Sequence, residues 1–263
     1  MFHVFLAESR KLRRPTLLFS TLLTVVGISG LFTSLLFLLI NSRSGNGRRG
    51  ELINASTLSL PNGLVVGFTS TVTLLGVVAL CIFAAQTAQE YTFGTLRNLL
   101  VRQPSRMKIL LGKYLSMALF ALVMDVLSLI VSVALSYGLA GHAHVSTSAW
   151  STGAGFHALA QGFGNVFLAT MGFGTLGMIL GLLLRSPISS IAIGVIWVLI
   201  VENLLTLVIK DANLWLPGSL IGAVGNGGDI GITYPHALLF SALYLLVGAG
   251  IVSVLFKRRD VSN

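Results

Sequence analysis

Residues 63–86 read GLVVGFTSTVTLLGVVALCIFAAQ, an uninterrupted run without Asp, Glu, Lys, Arg or His. A helix crossing the hydrocarbon core of a bilayer needs about 20 apolar residues, and this run meets that length. A water-facing helix of the same composition would have no polar side to offer solvent. Working outward, five more runs of this kind are present, at 16–40, 109–139, 156–184, 188–209 and 237–256. Those at 109–139 and 156–184 exceed the minimum length, which predicts tilt or an extension into the interface. The expected fold class is an all-α membrane protein of six transmembrane helices, forming a single transmembrane domain over 1–263. Composition agrees: 54% of the 263 residues are hydrophobic, 10% are charged, and mean hydropathy is +0.89. An average soluble domain carries roughly 25% charged residues. A soluble enzyme, a disordered chain and a coiled coil are therefore excluded. The one cysteine, Cys81, lies inside an apolar run, which removes intramolecular disulfides and a cysteine-built metal site.

Six spans put both termini on the same side, and charge says which. With the N-terminus inside, the inner segments hold Arg10, Lys11, Arg13, Arg14, Arg97, Arg102, Arg106, Lys108, Lys113, Arg185, Lys257, Arg258 and Arg259. The outer segments hold only Arg43, Arg48, Arg49 and Lys210. This bias predicts cytoplasmic termini and a multi-pass protein of the cell's inner (plasma) membrane. The net charge of +9 then reflects topology and contact with anionic lipid. Nucleic acid is not an expected partner, since no basic segment is interleaved with aromatics.

The N-terminal apolar stretch is too long for a signal peptide and lacks an A-x-A cleavage site. Before it, helical spacing puts Phe2, Phe5, Leu6 and Leu12 on one face, with Glu8, Arg10, Lys11 and Arg14 largely elsewhere and Arg13 among the basic positions. Pro15 permits a break. The segment 2–14 reads as an interfacial helix along the inner leaflet. On the other side, 41–62 is rich in Gly, Ser and Asn and reads as a flexible loop. The 210–236 segment is too apolar for a free loop. It is expected to dip into the outer leaflet as short helices near Pro217, with Trp215 at the interface. The tight turn Arg185-Ser186-Pro187 predicts a helical hairpin, because proline fits the first turn of a helix.

The motifs of soluble catalysis are missing. No G-x-x-x-x-G-K-[ST], H-E-x-x-H or G-x-S-x-G occurs. His142 and His144 form an H-x-H pair in an outer loop, and a zinc site would need two further ligands. They read as solvated histidines. Two acids lie within the spans. Asp125 follows Lys113 by about 18 Å of helix, near mid-bilayer, and Glu202 sits about 21 Å along its span, beside Asn203. A carboxylate at the centre of a span costs roughly 3 kcal/mol, so each is expected to face protein or water, as a substrate contact, relay, gate or structural hydrogen-bond partner. Gly174, Gly177 and Gly181 share a helix face that allows close packing, read here as intramolecular.

The inner segment between the second and third spans is the most informative. It runs Glu90-Tyr91-Thr92-Phe93-Gly94-Thr95-Leu96-Arg97-Asn98-Leu99-Leu100, then Pro104-Ser105-Arg106 and Gly112-Lys113. Thr95 can cap a short helix whose Leu96, Leu99 and Leu100 share a face, with Glu90 and Arg97 on a mixed-charge rim and Pro104 ending it. Such an exposed stripe suits a cytoplasmic partner.

The order E-x-x-x-G-T-L-R-x-L-L, then P-S-R and G-K, resembles the permeases of type-2 ATP-binding-cassette exporters. The basic N-terminal helix, G-x-x-x-G-L-L-L-R-S at 177–186, Val201-Glu202-Asn203-Leu204-Leu205 and Leu216-Pro217-Gly218 agree with that resemblance over nearly the whole chain. It implies a permease subunit that pairs with a second permease chain, same or homologous, and with two separate ATPase subunits. ATP and Mg would sit on the partner ATPase, and this chain would bind no cofactor or metal and would not itself be an enzyme. The elbow helix (Phe2, Phe5, Leu6, Arg10, Lys11, Arg13) and the loop residues Glu90, Gly94, Thr95, Leu96, Arg97, Leu99, Leu100 and Arg106 would meet the ATPase. The segment around Trp215 and Pro217 would help close the outer side. Two other classes remain open: a secondary transporter with Asp125 and Glu202 as proton carriers, and a non-transporting assembly or anchor protein.

Overall fold

The computed structural model describes residues 2–40, 54–94 and 105–258, and among these it is all-helical. Helix α1 covers Phe2–Leu12 and α2 Pro15–Leu39; α3 is a single turn at Ala55–Leu58. The second span comes in two pieces, α4 (Gly63–Thr69) and α5 (Val72–Thr92). At the break, Ser70 and Thr71 turn their hydroxyls back on the carbonyls of Gly67 and Phe68, which competes with the helical ladder. Then follow α6 (Arg106–Ala140) and α7 (Gly153–Leu184). The fifth span is α8 (Pro187–Ile196), a π-helical turn at Trp197–Val201, and α9 (Glu202–Val208). A 3₁₀ turn at Ala212–Leu214 leads into α10 (Pro217–Asn226), and α11 (Tyr234–Arg258) ends the described chain. Among the described residues six helices are long and apolar enough to cross a membrane, as expected from the sequence, which makes this a multi-pass membrane protein.

The core is the crossing of α5 and α7, and glycines set its spacing. A Cβ at Gly177 would stand 2.2 Å from the Leu80 carbonyl oxygen, and one at Gly181 2.8 Å from that of Ala84. Gly174 lies under the Phe83 ring, and Gly76 of α5 under Phe173. The glycine face of α7 is thus consumed inside the chain. Without a hydrophobic drive between helices in lipid, such backbone approach supplies the packing. Helix α2 meets α6 through one narrow stripe, Thr21, Val25, Ser29, Thr33 and Phe37. Opposite, α6 buries Ser128, Ser132 and Ser136, and the Ser29 and Ser128 hydroxyls bond at 2.6 Å. At one end of the bundle Trp150 is buried between Phe37 and Tyr137 and donates to the Leu58 carbonyl.

The hairpin at 185–187 forms as expected. Arg185 closes α7 in the left-handed region, Ser186 caps α8, and Pro187 takes its first turn. The expected end of the second span does not hold. The helix continues past Gln86 to Thr92, which places Glu90 in its last turn rather than in a loop.

Candidate functional site

Helix α1 has a face turned into the protein, and it includes Leu12 of the expected apolar set. Among the described side chains of α1, Val4, Glu8 and Leu12 are buried against α6, while Leu6 is exposed and Phe5 intermediate. A carboxylate at the centre of a buried face needs partners, and Glu8 has two. Lys113 donates to one of its oxygens at 2.6 Å, and Lys11, one turn further along α1, donates to the other. Lys113 is 1% exposed and also bonds the Gln86 carbonyl at 3.1 Å and Glu90 at 2.9 Å. Lys11 reaches the same Glu90 oxygen at 3.3 Å. Two acids and two lysines therefore form a charge-balanced cluster, buried except at Lys11, that joins α1, the end of α5 and the start of α6. Burial alone would push the Glu8 carboxyl up, but Lys113 and Lys11 outweigh it and hold it below its ordinary value. Burial likewise works to lower Lys11, and its bonds to Glu8 and Glu90 raise it instead. Both shifts favour the charged pair.

Glu90 is thus corrected from an exposed rim residue to a buried one, 6% exposed. Its neighbour Tyr91 lies under the Arg185 guanidinium, 5.3 Å from the ring centre. The end of α5 is gripped on both sides immediately before Gly94, which adopts φ +62° with open space around it. Thr95, Leu96, Arg97, Leu99 and Leu100 lie outside the described residues, as do the side chains of Phe2 and Arg106. Arg10 on α1 and Arg13 just after it are exposed.

At the opposite end, Glu202 is the one buried residue of α9, 3% exposed. The π-helical turn before it shifts the helical phase and carries the carboxylate inward. One oxygen accepts from the Trp197 indole at 2.9 Å and from the Gly218 amide at 2.8 Å. The other accepts from the Ser219 amide at 2.7 Å and its hydroxyl at 3.1 Å. Gly218 and Ser219 are the second and third residues of α10, so Glu202 caps that helix from another element, where free amides and the helix dipole favour a negative charge. Pro217 occupies the first helical position and has no amide to satisfy. The approach at Gly218 is close: a Cβ there would stand 2.8 Å from the carboxylate, which would have to shift. Helix α10 itself is buried from Gly218 to Gly225 except at Ser219, packed on α7, α11 and α5. Trp215 is exposed beside His236 and Phe240.

The three intramembrane polar candidates are not brought together. Asn203 is exposed and bonds its own helix at Leu199. Asp125 is fully buried, accepts from Thr170 at 3.2 Å, and its second oxygen has no partner among the described residues. No three His, Cys, Asp or Glu gather among the described residues. Reading the sequence missed Glu8 and Lys113 as partners. The available signals were a lone acid in an otherwise basic segment and a lysine several residues inside an apolar run.

The chain matches no curated protein. A family model described as "Protein of unknown function (DUF2705)" matches residues 59–262, from just after α3 to the last residues. With the match covering most of the chain, including α4 to α11, Glu90, Lys113 and Glu202, this six-span protein belongs to the DUF2705 family.

Proposed function

We propose that the chain is the permease subunit of an ATP-driven exporter of the plasma membrane, its termini cytoplasmic. In this reading it pairs with a second permease chain and takes its energy from separate ATPase subunits. The observation that carries the reading is the charge-balanced cluster of Glu8, Lys11, Glu90 and Lys113. It ties an N-terminal helix to the end of α5 and the start of α6, the two helices that flank residues 95–104, so that a force applied between them would move α1, α5 and α6 together. A packed element with two arrangements is what a remote nucleotide site needs to bias. Helix α1 would act as the elbow, and α10, held by Glu202, would help close the outer side. Substrate would leave through the interface between two permease chains by alternating access.

The test is purification in mild detergent with cytosolic partners, for the wild type and Lys113→Met. A co-purifying P-loop ATPase whose activity is stimulated by the wild type and not by the inserted variant supports the proposal. Removing Lys113 leaves two acids buried against one lysine, a change worth about 3–5 kcal/mol, so thermal unfolding is measured alongside. Lys11→Met, at a partly exposed position, should unfold close to the wild type. If no ATPase associates with any form, the exporter reading falls.

A second reading draws on Asp125, whose unpartnered buried oxygen suits a proton-coupled carrier. Transport that persists without ATP and collapses with an uncoupler would favour it. Glu202 does not lend it support, since both of its oxygens are occupied as acceptors.

A further inference from the structure

A cavity of about 480 Å³ opens between α6, α7 and α11, in the half of the bundle nearest the termini. Its volume falls within the roughly 300–1,000 Å³ of small-molecule sites. The lining runs from Tyr114 and Ala242 at the deep end to Met107, Leu182 and Ser253 at the other, with Ala249 keeping the α11 wall low. From Ala242 to Ser253 is about 16 Å of helix. That is close to one leaflet of a hydrocarbon core roughly 30 Å thick. The polar atoms deep in the groove are satisfied internally. The Tyr114 and Thr175 hydroxyls bond each other at 3.0 Å, and Thr175 donates to the Met171 carbonyl. The groove therefore makes no hydrogen-bonding demand on its occupant, which can be pure hydrocarbon.

Charge is placed at one end only. Lys108 follows Met107 and is exposed, with no described acid paired to it. Lys257 and Arg258 come one turn beyond Ser253 on α11, and Arg106 opens α6. No acid lies in 105–112 or 242–258. A second copy seated here in parallel would set its own basic end against this one, which disfavours it.

We infer that the groove seats an acyl chain of an anionic phospholipid from the leaflet on the side of the termini, with the phosphate at the basic end. Basic residues at a helix end beside the bilayer are matched to such headgroups. The inference needs only the six-span architecture and is independent of export.

The test uses the purified full chain in mild detergent, without ATPase, and native mass spectrometry with phosphatidylglycerol or phosphatidylcholine of identical acyl chains. The expected result is one phosphatidylglycerol retained per chain and roughly thirtyfold less phosphatidylcholine, the size two basic side chains give near an anionic headgroup. Ala249→Phe, which fills the groove, should lose retention. Leu111→Trp, on the more exposed lip, gives a second filling variant should Ala249→Phe unfold. Lys108→Glu combined with Lys257→Glu should keep lipid binding but abolish the headgroup preference. Equal retention of both lipids by the wild type overturns the inference. So does wild-type retention in the folded filling variants, or a dimer that cross-links through Ala249→Cys.

Discussion

Glu202 shows how a single carboxylate in a membrane span can be stabilised without a cation. It accepts four hydrogen bonds from Trp197, Gly218 and Ser219, two of them from the free amides of α10. The N-terminal half-charge of that helix takes the place of a lysine. Lys210, the nearest basic residue in sequence, forms no ion pair with it. Glu202→Gln keeps the shape but turns a donor-bearing nitrogen toward groups that are themselves donors. It should weaken the cap by about 1.5–3 kcal/mol, the range for hydrogen bonds to a charged group. Amide exchange at Gly218 and Ser219 is expected to accelerate while expression and the exchange of α5 and α7 stay unchanged. Unaltered exchange at those two amides would mean that packing of α10, not the carboxylate, holds it in place. Glu8, Glu90, Lys11 and Lys113 solve the same problem differently, by balancing one another's charge, with Glu8, Glu90 and Lys113 buried and Lys11 at the rim.

Among the elements, the α5–α7 crossing carries the bundle, and its closeness rests on residues with no side chain. At Gly177 a methyl group would meet backbone, 2.2 Å from the Leu80 oxygen, so the helices must part. Gly177→Ala is expected to destabilise the protein by about 1–3 kcal/mol, the usual cost of overpacking. Gly164, in the same helix, has open space where its Cβ would be. Gly164→Ala should be neutral or stabilising by up to about 1 kcal/mol, from helix propensity alone. Thermal unfolding of both variants in detergent separates the two effects, and equal shifts would show that close approach is not what sets this crossing. Helix α1 makes a contrasting case. It is held by Lys113 of α6 as well as by Val4 and Leu12, so its attachment depends on a lysine that an apolar helix would not need.

Across the whole molecule, six spans divide the polar features between two ends. The Glu8–Lys113 cluster, Arg185 and the groove's basic end lie with the termini; Trp150, α3 and α10 lie at the far end. Which end faces the cytoplasm is argued from charge alone, and it is testable in a Cys81→Ser background. Ser148→Cys, exposed at the far end, should react with an impermeant thiol reagent applied to intact cells. Ser105→Cys, immediately before α6, should not. Labelling of Ser105→Cys from outside would invert the assignment and with it the plane in which an ATPase could dock.

The sequence by itself determined the class and the span count, because runs such as 63–86 have one physical solution in a bilayer: every backbone group must be bonded within its own helix. It also determined the hairpin at 185–187, since proline and a capping serine act locally, and it marked Glu202 as a residue in need of a partner. Only the tertiary structure decided who the partners are. Glu8 and Lys113 lie more than a hundred positions apart, and Glu202 meets Gly218 and Ser219 across a loop whose path no local pattern fixes. Helix α1 divides the two levels: its apolar spacing is a local pattern, whereas the turning of Glu8 toward α6 depends on Lys113, which only the tertiary contact supplies. In lipid, apolar surface is satisfied on any face, so hydrophobic periodicity loses its power to say which side of a helix turns inward, and close-packing glycines and paired charges decide it instead.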